Sequence, residues 1–128
     1  MRWPCGVIIG EVTVAGELSG RIDADGQLGV VVGVGINVNA TQEQLPVTTA
    51  TSLLLQGFGE CDRSTLLVAI LEQMANYLKR WEAGDTSLMN EYRLKSATLG
   101  RSIRVDLPGG AIVESKAVSV AESGDRII

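Results

Sequence analysis

The run Leu28-Gly29-Val30-Val31-Val32 leads straight into Gly33-Val34-Gly35-Ile36-Asn37-Val38-Asn39, with no charged residue from 28 to 39. Its valines and isoleucine favour extended backbone. A nearly continuous apolar run suits a strand buried on both faces. Gly33 and Gly35 stand two apart, so they share one face of that strand. Glycine weakens a strand unless a ligand or another backbone must come close. Asn37 then places a carboxamide at the strand end, where it can accept, donate or coordinate a hard cation. On these residues alone a plainer account is the stronger one: the glycines allow tight sheet packing and Asn37 caps the strand.

Two further strands precede it, Val7–Ile9 and Val12–Leu18, with turn signals at Gly10-Glu11 and Asp23–Gly26. No helical pattern separates the three, which predicts an antiparallel meander. Residues 38–48 are polar, contain Pro46 and form a loop. A short helix is expected over 50–56, capped by Thr48 or Thr49 and stopped at Gly57-Phe58-Gly59. A long helix is expected from Arg63 to Glu82 behind Asp62. Leu66, Leu67, Ile70, Leu71, Met74, Leu78 and Trp81 give it one apolar stripe, read as core. Gly84 ends it, and Asp85 caps a third helix to about Ser96.

The composition shifts at Leu99-Gly100. Beyond it come a strand at Ile103–Leu107, a turn at Pro108-Gly109-Gly110, a second strand over Ile112–Val120 and the start of a third at Asp125–Ile128. The fold class expected is α+β: an antiparallel sheet packed by helices over 1–98, then a small unfinished β unit over 99–128.

Several function classes are disfavoured. The net charge is −4 and no basic run is present, so the electrostatic footprint of a nucleic-acid binder is missing. No apolar stretch approaches the roughly 18 residues of a membrane span, and no secretory leader is evident. Cys5 and Cys61 lie far apart in a chain without histidine, which is neither a metal-ligand pattern nor a disulfide framework. Two reduced thiols in a cytoplasmic protein are expected. Cys5 has no histidine to activate it and no cation near it in sequence beyond Arg2, so it reads as a spectator rather than a nucleophile.

Gly33–Asn39 resembles the signature strand of the biotin protein ligases. Other segments agree in order and spacing. Arg2-Trp3-Pro4 resembles the start of the family's R/K-W-P-N-D segment. Val14-Ala15-Gly16-x-Leu18 resembles its K-[LV]-A-G-I-L strand. Ala50-Thr51-Ser52-Leu53 resembles the ATSL that follows the signature strand. Arg63 with Leu66-Leu67 resembles the next helix. Tyr92-Arg93, Ser96 and Leu99-Gly100-Arg101 resemble the passage into the family's small C-terminal domain. The resemblance implies a class II synthetase-like catalytic domain, represented by its C-terminal half, followed by an incomplete SH3-like barrel.

It also implies a biotin–[acetyl-CoA carboxylase] ligase activity. Biotin and ATP form biotinyl-adenylate and pyrophosphate, and a lysine of a biotin carboxyl carrier domain then takes the biotin. ATP, magnesium and biotin are the implied ligands. Gly16, Gly33, Gly35 and Asn37 are the implied adenylate-facing residues, with Asn37 also the implied magnesium ligand.

Three departures set limits on this. Thr13 stands at the family's lysine position. Cys5-Gly6 stand where the family has Asn-Asp, and Glu17 replaces an isoleucine. The family's Arg- and Gly-rich loop lies upstream of the matched segments. The expectation is therefore a truncated chain, inactive alone, that needs an N-terminal half or a homodimer partner. The alternative is a degenerate, non-catalytic binding module or a remnant.

Overall fold

The computed structural model describes residues 1–2, 5–107 and 109–128. Trp3 and Pro4 of the Arg-Trp-Pro segment and Pro108 of the expected turn lie outside the described residues. The described chain is α+β and falls into two compact units, Arg2–Gln73 and Met74–Ile128 with Met1.

In the first unit, β1 (Gly6–Ile9), β2 (Val12–Ala24) and β3 (Gln27–Ile36) form an antiparallel sheet in the order β1-β2-β3. This is the expected meander. β2 runs six residues past its expected end because it stays paired with β3 as far as Ala24↔Gln27. The turn is only Asp25-Gly26, both at positive φ (54° and 79°), and Asp23 Oδ1 accepts the Gly26 N–H at 3.0 Å. A two-residue Asp-Gly turn with left-handed φ matches the twist of the strands it joins.

The expected burial of β3 on both faces is not found. Leu28, Val30, Val31, Val32 and Val34 are all exposed, Val30 by 70%. An apolar strand is buried only if a layer packs on it, and the described residues place none over these valines. The core of this unit sits instead where β2 leaves β3: Val14, Ala15, Ala50, Thr51 and Ser52 are buried.

The helix expected over 50–56 is replaced by extended chain and a π-helical turn at Leu54–Phe58. The cause lies in Thr13. Its N–H donates to Thr49 O at 2.8 Å and its carbonyl accepts from Thr51 N–H at 2.8 Å, a parallel bridge centred on Ala50. Thr48 and Thr49 therefore cap no helix. Gly57 and Gly59, at φ 85° and 75°, turn the chain as expected.

α1 spans Arg63–Glu82. Asp62 caps it, accepting from Ser64 N–H at 3.2 Å and Thr65 N–H at 3.1 Å. Its apolar stripe is not core among the described residues. Leu66 and Ile70 are half-buried, but Leu67, Leu71, Leu78 and Trp81 are exposed, Trp81 by 71%.

In the second unit, α2 (Ser87–Lys95) begins two residues after Asp85, whose carboxylate accepts from Ser87 N–H at 2.9 Å. β4 (Ser102–Asp106) pairs antiparallel with β5 (Ile112–Lys116), and β6 (Ser119–Val120) with β7 (Arg126–Ile127). The single strand expected over Ile112–Val120 is thus broken. Ala117 is fully buried and bonded on both sides to the start of β4, its N–H to Arg101 O at 3.0 Å and its carbonyl to Gly100 N–H at 2.8 Å. Val118 then switches partner, donating to Ile127 O at 2.9 Å. Two two-stranded sheets result, and the described residues form no closed barrel.

Candidate functional site

The strand register supplies what sequence spacing could not. Gly6 pairs with Gly16, and Gly16 pairs with Gly35, so three glycines line up in one row across β1, β2 and β3. Cross-strand partners share a face. The row is therefore a strip of bare backbone, and Gly33 extends it along the same face of β3. A Cβ on Gly35 would meet nothing within 4 Å. On Gly33 its nearest neighbour would be Leu18 O at 3.6 Å, on Gly16 Cys5 O at 3.9 Å, and on Gly6 Arg2 O at 3.4 Å. These are open space or ordinary contacts. Packing among the described residues does not demand glycine at Gly33 or Gly35. Gly6 had counted only as a lost acid; the register makes it part of the strip.

A bulge sets the flanking side chains. The β1–β2 pairing passes from Val7↔Ala15 to Ile8↔Thr13 and skips Val14. Plain alternation from Gly16 would put Thr13 on the opposite face. The extra residue re-phases β2, so Val14 and Ala15 are both buried and Thr13 shares the face of Ile8 and Gly6. Thr13 thus joins the glycine face. Glu17, one residue past Gly16 and paired with Val34, falls on the opposite face. Its carboxylate is not aimed at the strip.

Asn37 follows two residues after Gly35, and each end of its backbone is held. Its N–H donates to Val14 O at 2.9 Å and its carbonyl accepts from Leu53 N–H at 3.0 Å. Its side-chain Nδ2 donates to Thr51 O at 3.0 Å. Thr51, itself fixed to Thr13, is thus the link between the two named site positions. Sequence reading took Thr51-Ser52 as a family match only and missed their part in the site. Ser52 is fully buried; its Oγ donates to Ala40 O at 2.6 Å and accepts from Leu55 N–H at 3.2 Å.

Among the described residues no group of three or more His, Cys, Asp and Glu could hold a metal ion. Asn37 offers one carboxamide oxygen with no carboxylate in support, which falls short of a magnesium site built by protein. Cys5 is exposed and Cys61 half-buried, both as free thiols.

The second unit holds a different feature. Arg80 donates from Nε to Asp85 Oδ2 at 2.8 Å, from Nη2 to Ser87 Oγ at 3.1 Å, and by both Nη atoms to Glu91. Ser87 first and Arg80 second hold the Asp85 carboxyl at about 2; Arg80 keeps Glu91 below its ordinary range. Beside this network, Met74, Leu78, Trp81, Leu88 and Tyr92 line an apolar groove of about 500 Å³. Every group in the network is satisfied by its neighbours, so it reads as a brace between helices rather than a reactive site.

No protein-family model matches the chain. The biotin–[acetyl-CoA-carboxylase] ligase of Mycobacterium tuberculosis (strain ATCC 25618 / H37Rv) is 32% identical over 124 residues, which cover 97% of this chain and 45% of that protein. The apo structure of biotin protein ligase from Aquifex aeolicus matches the whole chain with a TM-score of 0.82 and 25% identity. The chain belongs to the biotin protein ligase family. It spans about half the length of the relatives it matches, 56% in the case of the apo Aquifex ligase. A structure of the Aquifex ligase in complex with biotin and ATP also matches, with a TM-score of 0.78 and 27% identity, covering 53% of that protein. No helix among the described residues is long and apolar enough to cross a membrane.

Proposed function

We propose that the chain supplies the adenylate-facing strands of a biotin protein ligase, working with a part that matches the other half of its relatives. The observation that carries this is the row Gly6-Gly16-Gly35, bare and open, with Thr13 and Asn37 further along its strands. In the proposed reaction a carboxylate oxygen of biotin attacks the α-phosphorus of ATP, pyrophosphate leaves, and a lysine amine of a carrier domain then attacks the acyl carbon of the anhydride and expels AMP. Gly16, Gly33 and Gly35 would let the adenylate lie against main chain, and Asn37 would contact it with its carboxamide. Thr13 reaches the same face but brings no charge to a step in which two anions meet. Residues 1–98 are assigned to the catalytic domain and 99–128 to the start of an SH3-like domain. The setting proposed is cytoplasmic, with a biotin carboxyl carrier domain as acceptor. No step is routed through magnesium, because the described residues do not build a site for it.

Biotin-dependent ATP–pyrophosphate exchange tests this, using the chain mixed with the remaining part of the Mycobacterium tuberculosis relative. Exchange above that of either part alone supports the reading, and Thr13→Lys is expected to raise it by about 10²–10³. Background exchange from both the wild-type and the Thr13→Lys mixtures would end the catalytic proposal. The substitutions at Thr13, Cys5 and Gly6 favour one second reading, a non-catalytic binding module. Calorimetry of the chain with biotin, ATP and a carrier domain tests it; no heat from any of the three would end it.

A further inference from the structure

The apolar groove of the second unit has a spacing that says what fits it. Met74, Leu78 and Trp81 stand four and three residues apart on α1, and Leu67 and Leu71 carry the same alternation back along that helix. Apolar residues at alternating steps of four and three form the seam that one helix offers to another. This seam is uncovered: Leu67, Leu71 and Leu78 are each more than half exposed, and Trp81 is 71% exposed. Leu88 and Tyr92 of α2 and the Met1 side chain form the other walls. Tryptophan, tyrosine and methionine gathered in a concave apolar space are the residues that anchor interfaces. Lys95 stands at the rim, while Glu91 is taken up by Arg80, so the rim favours a carboxylate beside the apolar face of an occupant.

Met1 indicates which chain that occupant belongs to. Its amino nitrogen donates to Lys95 O at 2.6 Å, and its carbonyl accepts from Ala97 N–H at 2.7 Å. Its main chain is thus held along the end of α2 while its side chain lines the groove. Arg2, the next residue, opens the segment that resembles the family's R/K-W-P-N-D. The Aquifex ligase has the same fold over the whole of this chain and is about twice as long. In such a relative the residue ahead of the Met1 position lies one Cα step away, about 3.8 Å. The upstream half of a relative therefore ends at this groove.

We infer that the groove lined by Met74, Leu78, Trp81, Leu88 and Tyr92 is the docking surface for the upstream half of the ligase, and that it takes an amphipathic helix whose apolar positions repeat the four-three spacing of α1. This rests on the reading that the chain works with that half, and adds where the two meet.

The test is calorimetry of the full chain titrated with the remaining part of the Mycobacterium tuberculosis relative. Trp81→Ala is expected to weaken association about 30-fold, and Leu78→Asp by at least as much. Both side chains are exposed, so the urea midpoints should stay at the parent's value. Leu94→Asp is the control. Leu94 is 87% exposed on α2 and does not line the groove, so its variant should bind as the parent does. Equal binding by the parent and Trp81→Ala, or no binding by the parent, would overturn the proposal. So would a chain that dimerises alone and loses the dimer on Trp81→Ala, because the groove would then belong to a second copy. Hydrogen exchange on the mixture should protect a segment of the added part with apolar residues at the four-three spacing; protection confined to segments without it would overturn the helix. The ligase reading can fail separately. Trp81-dependent binding with biotin-dependent exchange at background keeps the docking surface and removes catalysis. Exchange that rises with the added part identically for the parent and Trp81→Ala keeps catalysis and removes the docking surface.

Discussion

Gly35→Ala separates the two roles a strand glycine can have, packing or ligand approach. A Cβ at Gly35 meets no atom within 4 Å, and its φ is not in the left-handed range. The folded chain therefore has room and suitable backbone for alanine. The unfolded chain loses conformational freedom, which favours folding by about 0.4–1 kcal/mol. The variant should be as stable as the parent or slightly more so. The methyl group would project from the bare strip into the space where a ligand lies on the backbone. Overpacking of this kind costs about 1–3 kcal/mol, which converts to roughly 5- to 150-fold weaker binding. Urea unfolding of the chain measures the first effect. Calorimetry with ATP or biotin, on the chain mixed with the other half of its relative, measures the second. Gly29→Ala is the control. There a Cβ comes within 3.3 Å of Ile22 Cγ1, away from the strip, so binding should not change. A Gly35→Ala variant that loses more than about 1 kcal/mol of stability yet binds as the parent does would refute the argument, and return the glycine to a packing role.

Other outcomes follow from single residues. Ser52→Ala removes a hydroxyl bonded to Ala40 O and Leu55 N–H in a fully buried position. It should cost about 1–3 kcal/mol, read as a lower urea midpoint with faster amide exchange at Leu55. Asp85 and Glu91 are both depressed, so their brace on Arg80 is fully present above the ordinary carboxylate range. It is lost as pH falls below the ordinary carboxylate range, through the lowered value of Glu91 and that of Asp85 at about 2. The Ser87 amide signal should move over that window, and a flat titration there would contradict the sign. Val30→Lys, on an exposed apolar edge strand, should lower light scattering without lowering the urea midpoint.

Local signals carried much of the fold. The Asp25-Gly26 turn, the Asp62 cap with the bounds of α1, and the three-strand meander all follow from side-chain chemistry within a few residues. The glycines were legible as strand positions too, and the register sets Gly16 opposite Gly35. Burial was not legible. The apolar pattern of β3 and of the α1 stripe states what those faces would do if covered, and covering is a property of distant chain. The bridge from Thr13 to Thr49 and Thr51 overrode helix signals at 50–56, since two main-chain hydrogen bonds from a neighbouring strand outweigh a weak local preference. The buried Ala117 broke one apparent strand into two by changing its partner.

By itself the sequence determined which residues make the glycine-bearing strand β3 and the uncharged stretch that carries it to Asn39. Only the tertiary structure decided that Gly6, Gly16 and Gly35 form one row, because strand register is set by pairing rather than by spacing. Only it turned Thr13 to that face, through one skipped residue in β2. And only it oriented Asn37, because the carbonyl that fixes the amide belongs to Thr51, brought alongside by a hydrogen bond to Thr13.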